Sequence, residues 1–225
     1  MPHILDAPGS LSDRARAFLA THARTVPVDT GPSDEDCRAA MLAALGRSDE
    51  VALATLRRLQ RRYSGLTYRS PFRDAEIVFE PVLEVDPDTA ETAFEYAIMD
   101  RSPDGCRSGF VLPDLTVWFR FFNVDVQTFP SLDHFIECDA LLHDLGHQRP
   151  AALETPPDAN AYLEGLRERH PQLRRMTALS GFCVEWWGDD HRLVYFNGLD
   201  AQLWAGNGDG SVPTVVRTWL IDGST

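Results

Sequence analysis

The chain has 225 residues, 44% hydrophobic and 24% charged, and a formal net charge of −13. That is long enough to bury a sizeable core and ordinary for a globular protein. The acidic balance argues against a nucleic-acid or anionic-membrane partner, both of which need basic patches, and suits a basic protein partner.

No apolar run reaches membrane-spanning length. The opening MPHILDAPGS lacks the basic-then-apolar order of a signal peptide. The cysteines, Cys37, Cys106, Cys138 and Cys183, are far apart and form no CxxC pair. A cytoplasmic protein with reduced thiols is expected.

In chain order, residues 1–10 read as a loose arm. Ser12 caps a helix over about 12–23 with Ala15, Phe18 and Leu19 inward. Ser33 starts a second, with Asp34, Glu35 and Asp36 in its first turn, Met41, Leu42 and Leu45 on its apolar side and Gly46 as its stop. Ser48 opens a third over 49–63, acidic early and arginine-rich late, in the order that complements the helix dipole. Val51, Leu56, Leu59 and Tyr63 are its expected buried face.

The middle turns to β. Residues 75–84 are β-rich but contain Pro81, which points to an edge strand or two short pieces. The runs 93–99 and 106–112 flank Pro103, Asp104 and Gly105 and read as a hairpin. From Leu115 to Phe122 one parity is wholly apolar, the pattern of a half-buried strand. Pro130 stops pairing, and Ser131 caps an amphipathic helix over 131–145. Leu132, Phe135, Ile136, Leu142 and Leu145 form its stripe, with Gly146 in the left-handed end position.

After a proline-bearing break at 150–157 comes a helix over about 158–169, then four short strand-like runs, FCVEWW, RLVYF, AQLWAG and TVVRTWL. Gly188-Asp189-Asp190, Asn197-Gly198 and 207–210 separate them as hairpin signals. The expected fold is α+β: a central, mostly antiparallel sheet with N-terminal helices, a covering helix at 131–145 and a β-rich C-terminal part. Residues 1–150 form the α+β domain, and 151–225 an extension packed on the same core.

Three groups of residues invite a chemical reading. LLHDLGH, 141–147, looks like the core of the HD phosphohydrolase motif, in which adjacent His and Asp bind a metal that activates water. That resemblance implies a metal-dependent hydrolase using His143 and Asp144. The surroundings differ, because that family is helical and needs a further His on an earlier helix. Here 101–133 hold no histidine. His134 and His143 lie nine residues apart on one predicted helix, too far for one ion. His143 and His147 have zincin spacing, but Gly146 interrupts them and no Glu follows His143.

The second group is Glu185, Trp187, Asp189 and Asp190, beside Trp186 and His191. Glu185 and Trp187 share strand parity, and aromatic residues beside charges suit a protein interface. The competing reading is a solvated hairpin tip. The third is aromatic: Trp118, Phe122, Trp186 and Trp204 either line a ligand pocket or fill the core. Gly206, Gly208 and Gly210 open no helix and precede no Lys, so no phosphate loop is expected. Nothing in the pattern implies a cofactor.

Two segments resemble a known family. LRRLQRRYSGLTY, 56–68, resembles the helix-then-glycine segment of the SUKH superfamily of immunity proteins, and VQTFPSLDHFIECDALL, 126–142, resembles its later strand-to-helix segment. The likeness spans about 56–145. The Leu-Pro usual before the first segment is missing, and the double glycine is Ser64-Gly65. The resemblance implies an α+β fold and neutralisation of a toxin by direct binding, with no catalytic residues and no metal.

Overall fold

A computed structural model describes residues 2–86, 91–99, 107–121, 124–146, 148–199, 202 and 214–221. Among these the chain forms five helices and twelve strands, the strands in two antiparallel sheets. The fold is α+β.

Helix α1, Asp13–His22, starts where Ser12 accepts a hydrogen bond from the Ala15 N–H, and it buries Ala15, Phe18 and Leu19. Strand β1, Arg24–Thr25, follows directly. Helix α2, Asp34–Leu45, is capped by Ser33 and ended by Gly46 at φ 69°. It buries Cys37 and Met41, while Leu42 is exposed. Helix α3, Glu50–Tyr63, takes Asp49 as its cap, one residue later than the sequence suggests. Its buried stripe includes Ala52, Leu53, Leu56, Leu59 and Tyr63. Val51 is 71% exposed, because five residues from Leu56 place it about 140° round the helix from the buried stripe.

The first sheet is a seven-strand meander in the order β1 to β7. After β1 come β2, Leu66–Ser70, β3, Ala75–Asp86, β4, Glu91–Met99, β5, Arg107–Val111, β6, Val117–Phe121, and β7, Val124–Phe129. Strand β3 is neither an edge nor two pieces: it is one strand between β2 and β4. The register shifts between Phe79 and Val82, so Pro81 sits at a bulge where a missing N–H breaks no ladder. The Pro81 carbonyl accepts from the Gln60 side chain on α3 at 2.8 Å. Strands β4 and β5 pair as expected, and their turn at 103–105 lies outside the described residues.

Helix α4, Leu132–Leu145, has Ser131 as its cap. It is buried on most sides, with ten residues inaccessible, where one stripe was expected. Gly146 is right-handed, at φ −58°, and its N–H closes on the His143 carbonyl at 3.0 Å. The left-handed end expected there is absent because the chain stops with a tight 3₁₀-type turn.

Beyond α4 lie β8, Ala152–Glu154, α5, Ala159–Arg169, β9, Arg174–Arg175, β10, Val184–Gly188, β11, Arg192–Asn197, and β12, Val215–Leu220. The second sheet runs β8-β12-β11-β10-β9. Gly188 pairs with Leu193, so the turn at 188–192 is the expected hairpin. Asn197 pairs with Val215, so Asn197-Gly198 opens a long connection rather than a two-residue turn. Of the run AQLWAG, only Gln202 lies within the described residues.

Helix α4 lies between the sheets. Phe135 meets Phe72, Phe119 and Phe129 of the first sheet and its adjoining turn, with ring centres 5.5–5.9 Å apart. Cys138 accepts from the Trp186 indole of the second sheet at 3.3 Å. The largest buried cluster therefore draws on both halves of the chain, including Val184, Trp186, Tyr195 and Trp219. A smaller cluster on the far side of the second sheet joins Leu166 of α5 to Val194, Phe196 and Val216. No helix among the described residues is long and apolar enough to cross a membrane.

Candidate functional site

Helices occupy one face of the first sheet. On the other, strand alternation places Phe110, Trp118, Arg120, Asp125 and Glu84 side by side. Trp118 pairs with Phe110 across β5 and β6, and the rings stack at 5.9 Å. Arg120 grips Asp125 with two hydrogen bonds, at 2.9 and 3.2 Å, and Glu84 with a third at 2.9 Å. Its guanidinium lies 4.9 Å from the Phe110 ring centre, a cation–π arrangement. Hydrogen bonds to Asp125 lead the causes that raise its pKa still further, so it stays charged. Phe110 is covered while Trp118, Arg120 and Gln127 are half-exposed and Asp125 is exposed. The result is a flat, pre-ordered patch: an indole and a guanidinium framed by carboxylates.

The hairpin residues singled out from the sequence are placed differently from a free binding tip. The Trp187 indole donates to Glu185 Oε2 at 2.9 Å, as their shared parity requires. Trp187 also packs on the smaller core cluster, and Arg167 of α5 lies 5.3 Å from its ring centre. Arg175 is 3.4 Å from Glu185 Oε1. The Asp189 side chain is only 2% exposed and lies 3.1 Å from Arg192, close enough for ion pairing though not aligned as a hydrogen bond. It also accepts from the His191 N–H at 2.8 Å. Asp190 is exposed. Three of the four groups are thus spent within the fold.

The histidines of α4 point to different neighbourhoods. His134, in the first turn, contacts the Ser131 hydroxyl at 2.8 Å, and burial lowers its pKa. His143, in the last turn, lies against His22 of α1 with ring centres 4.1 Å apart and planes tilted by 45°, and meets Phe18 at 5.2 Å. Asp144 pairs with Arg14 at 3.2 Å. His147 lies outside the described residues. Among the described residues, no three His, Cys, Asp or Glu side chains gather where they could share an ion.

The aromatic set does not converge either. Trp186 is fully buried against Tyr195 and Trp219, with ring centres at 4.5 and 5.9 Å, as core packing. Trp118 lies on the open sheet face. Phe122 and Trp204 lie outside the described residues.

Of two buried carboxylates of α4, sequence reasoning read Glu137 only as an acid favoured near the positive end of the helix and passed over Asp139. Glu137 accepts from both the N–H and the hydroxyl of Ser12, at 2.5 and 2.7 Å. Asp139 is fully buried and accepts from Tyr68, Ser70 and the Phe72 N–H. The available signal was two acids inside an otherwise apolar run, which a solvated helix face also explains.

No protein-family model matches this chain, and no curated protein or solved structure matches it.

Proposed function

We propose that the protein works by binding, and that it engages a basic protein partner through the open face of the seven-stranded sheet. The observation that carries this reading is the Trp118–Arg120 patch. Tryptophan and arginine are the residues enriched at binding hot spots. Here both are held in place before any partner arrives, so little side-chain freedom is lost on docking. The surrounding carboxylates and the net charge of −13 favour a cationic surface and accelerate its approach. The resemblance of 56–68 and 126–142 to SUKH immunity proteins agrees with this reading, since those segments flank the same sheet. It makes the proposed partner a basic toxin and the proposed setting the cytoplasm. The hairpin residues Glu185, Trp187 and Asp189 are tied to neighbours and contribute less to the proposed contact than the sheet face.

The test is calorimetric titration against the basic polypeptides encoded beside this gene, at low and moderate salt. One of them binds, and more weakly as salt rises. Trp118→Ala weakens that complex at least tenfold, and Asp125→Lys slows its association, with the thermal melt of each variant little changed. A tight complex indifferent to both substitutions overturns the sheet-face assignment. Failure of every basic neighbour to bind at low salt overturns the function.

A further inference from the structure

A second feature lies on the helical side of the molecule, where the N-terminal arm crosses the end of α3 and the start of α4. The arm is fastened there. Ile4 is fully buried, and its N–H donates to the Arg62 carbonyl at 2.9 Å. The Arg62 guanidinium donates in turn to the carbonyls of Ala7 and Pro8. Beneath the arm is a cleft of about 520 Å³, within the range typical of small-molecule sites, about 300–1,000 Å³.

Its floor is apolar, formed by Leu59, Val111, Leu115 and Leu132. Leu115 reaches it at an energetic cost. Its φ is 75°, a left-handed conformation that a bulky side chain rarely adopts. The turn that holds it is closed by the Leu115 N–H on the Leu112 carbonyl at 2.8 Å and by Asp114 on the Thr116 N–H at 2.9 Å. Strain of this kind is concentrated at ligand clamps and active sites.

The polar groups at the cleft sort by charge. Arg58, Arg62 and Asp133 are its ionic members. Both oxygens of Asp133 are already engaged, one by the Tyr63 hydroxyl at 2.8 Å and one by Ser10 at 2.9 Å. Burial and Asp133 itself raise the Tyr63 pKa, so the phenol remains a donor. Arg62 is committed to the arm. Arg58 is exposed and has no ion-pair partner among the described residues. A locally cationic, apolar-floored cleft in a strongly acidic chain selects one kind of guest.

We propose that this cleft binds an acyl carboxylate, with its chain laid on Leu59, Leu115 and Leu132 and its head group on Arg58. The site is separate from the sheet face, so either assignment stands or falls without the other.

The experiment is isothermal titration of the full chain with octanoate, octanol and octylammonium, each below its micelle threshold. Octanoate binds at least tenfold more tightly than the other two. Arg58→Gln, at an exposed position, removes that preference and leaves octanol unchanged. Leu115→Glu, which places a second carboxylate in the floor, abolishes octanoate binding. The proposal is overturned if octylammonium binds as well as octanoate, if Arg58→Gln leaves octanoate unaffected, or if none of the three binds at millimolar concentration.

Discussion

Tyr68 and Asp139 meet where the first sheet and the central helix touch. The phenol donates to the carboxylate at 3.1 Å, and neither side chain has any exposed surface. The other carboxylate oxygen accepts from the Ser70 hydroxyl at 2.8 Å and the Phe72 N–H at 2.9 Å. One acid on α4 thereby fixes the end of β2 and the turn that follows it.

Asp139 makes stability pH-dependent. Burial pushes its pKa up to about 7, against the pull of its hydrogen-bond donors and Arg73. The unfolded chain titrates near 3.9. Between those values the folded state holds the extra proton, so stability falls as pH rises. The contribution is whole below about pH 4 and lost by about pH 7. In Asp139→Asn, which keeps the shape and the acceptor for Phe72, that decline flattens and the variant gains on the parent most above pH 7. Urea unfolding between pH 4 and 8 reads this directly; parallel curves for the two proteins would sink the assignment.

Glycine replacements separate crowding from backbone conformation. A Cβ on Gly181 would lie 1.9 Å from the Thr128 carbonyl oxygen, in the same strand end that accepts from the Phe182 N–H at 2.8 Å. Backbone cannot yield there cheaply, so Gly181→Ala costs several kcal/mol, about 3 or more, in the manner of overpacked cores. Gly46 has φ 69° but open space around its Cβ position. Gly46→Ala costs only the left-handed strain, about 1 kcal/mol. Chemical denaturation of the pair should give that order.

The anchorage of α1 rests on Glu137. Its carboxylate holds both the N–H and the hydroxyl of Ser12, the residue that caps α1. Glu137→Ala leaves the Ser12 N–H unpartnered and costs about 2 kcal/mol, the scale of a lost charged hydrogen bond in a partly buried site. Hydrogen exchange should show α1 amides opening first, with the second sheet unaffected. Uniform loss of protection would contradict this.

The thiol of Cys138 should be inert in the folded protein. It is fully buried, burial raises its pKa far above the usual thiol range, and the Trp186 indole bonds to its sulfur at 3.3 Å. Cys37 and Cys183 are also buried. In a Cys106→Ser background, a thiol reagent should therefore label the native protein slowly and the unfolded protein at once. Trp186→Ala should cost about 4 kcal/mol and open Cys138 to the reagent.

Local signals were legible where one residue decides the outcome. The caps at Ser12, Ser33 and Ser131 depend on a side-chain oxygen reaching a nearby N–H, and each does so. The hairpin tip at Gly188 was likewise local. Pro81 misled because a proline's effect depends on its strand's neighbours: a bulge admits it to an interior strand. Val51 misled because its apolar character outweighed its spacing: five residues from Leu56, it lies about 140° round the helix from that stripe.

The candidate sites were less legible. Parity placed Glu185 beside Trp187, but no pattern revealed that Arg167, Arg175 and Arg192 would engage that hairpin. The patch at Trp118 needs β5 and β6 in register, and the cleft at Arg58 needs the arm, α3 and α4 to converge. Their partners are 36 residues apart for Arg120 and Glu84, and 70 for Tyr63 and Asp133.

By itself the amino-acid sequence determined the α+β class, most of the helix starts, the strand periods and the acidic charge, because these follow from neighbours within a few residues. Only the tertiary structure decided that α4 is enclosed by two sheets, that its acids Glu137 and Asp139 are structural, and which charged groups remain open to a partner. Those outcomes depend on which distant surfaces exclude water from one another, and chain-local chemistry carries no record of that choice.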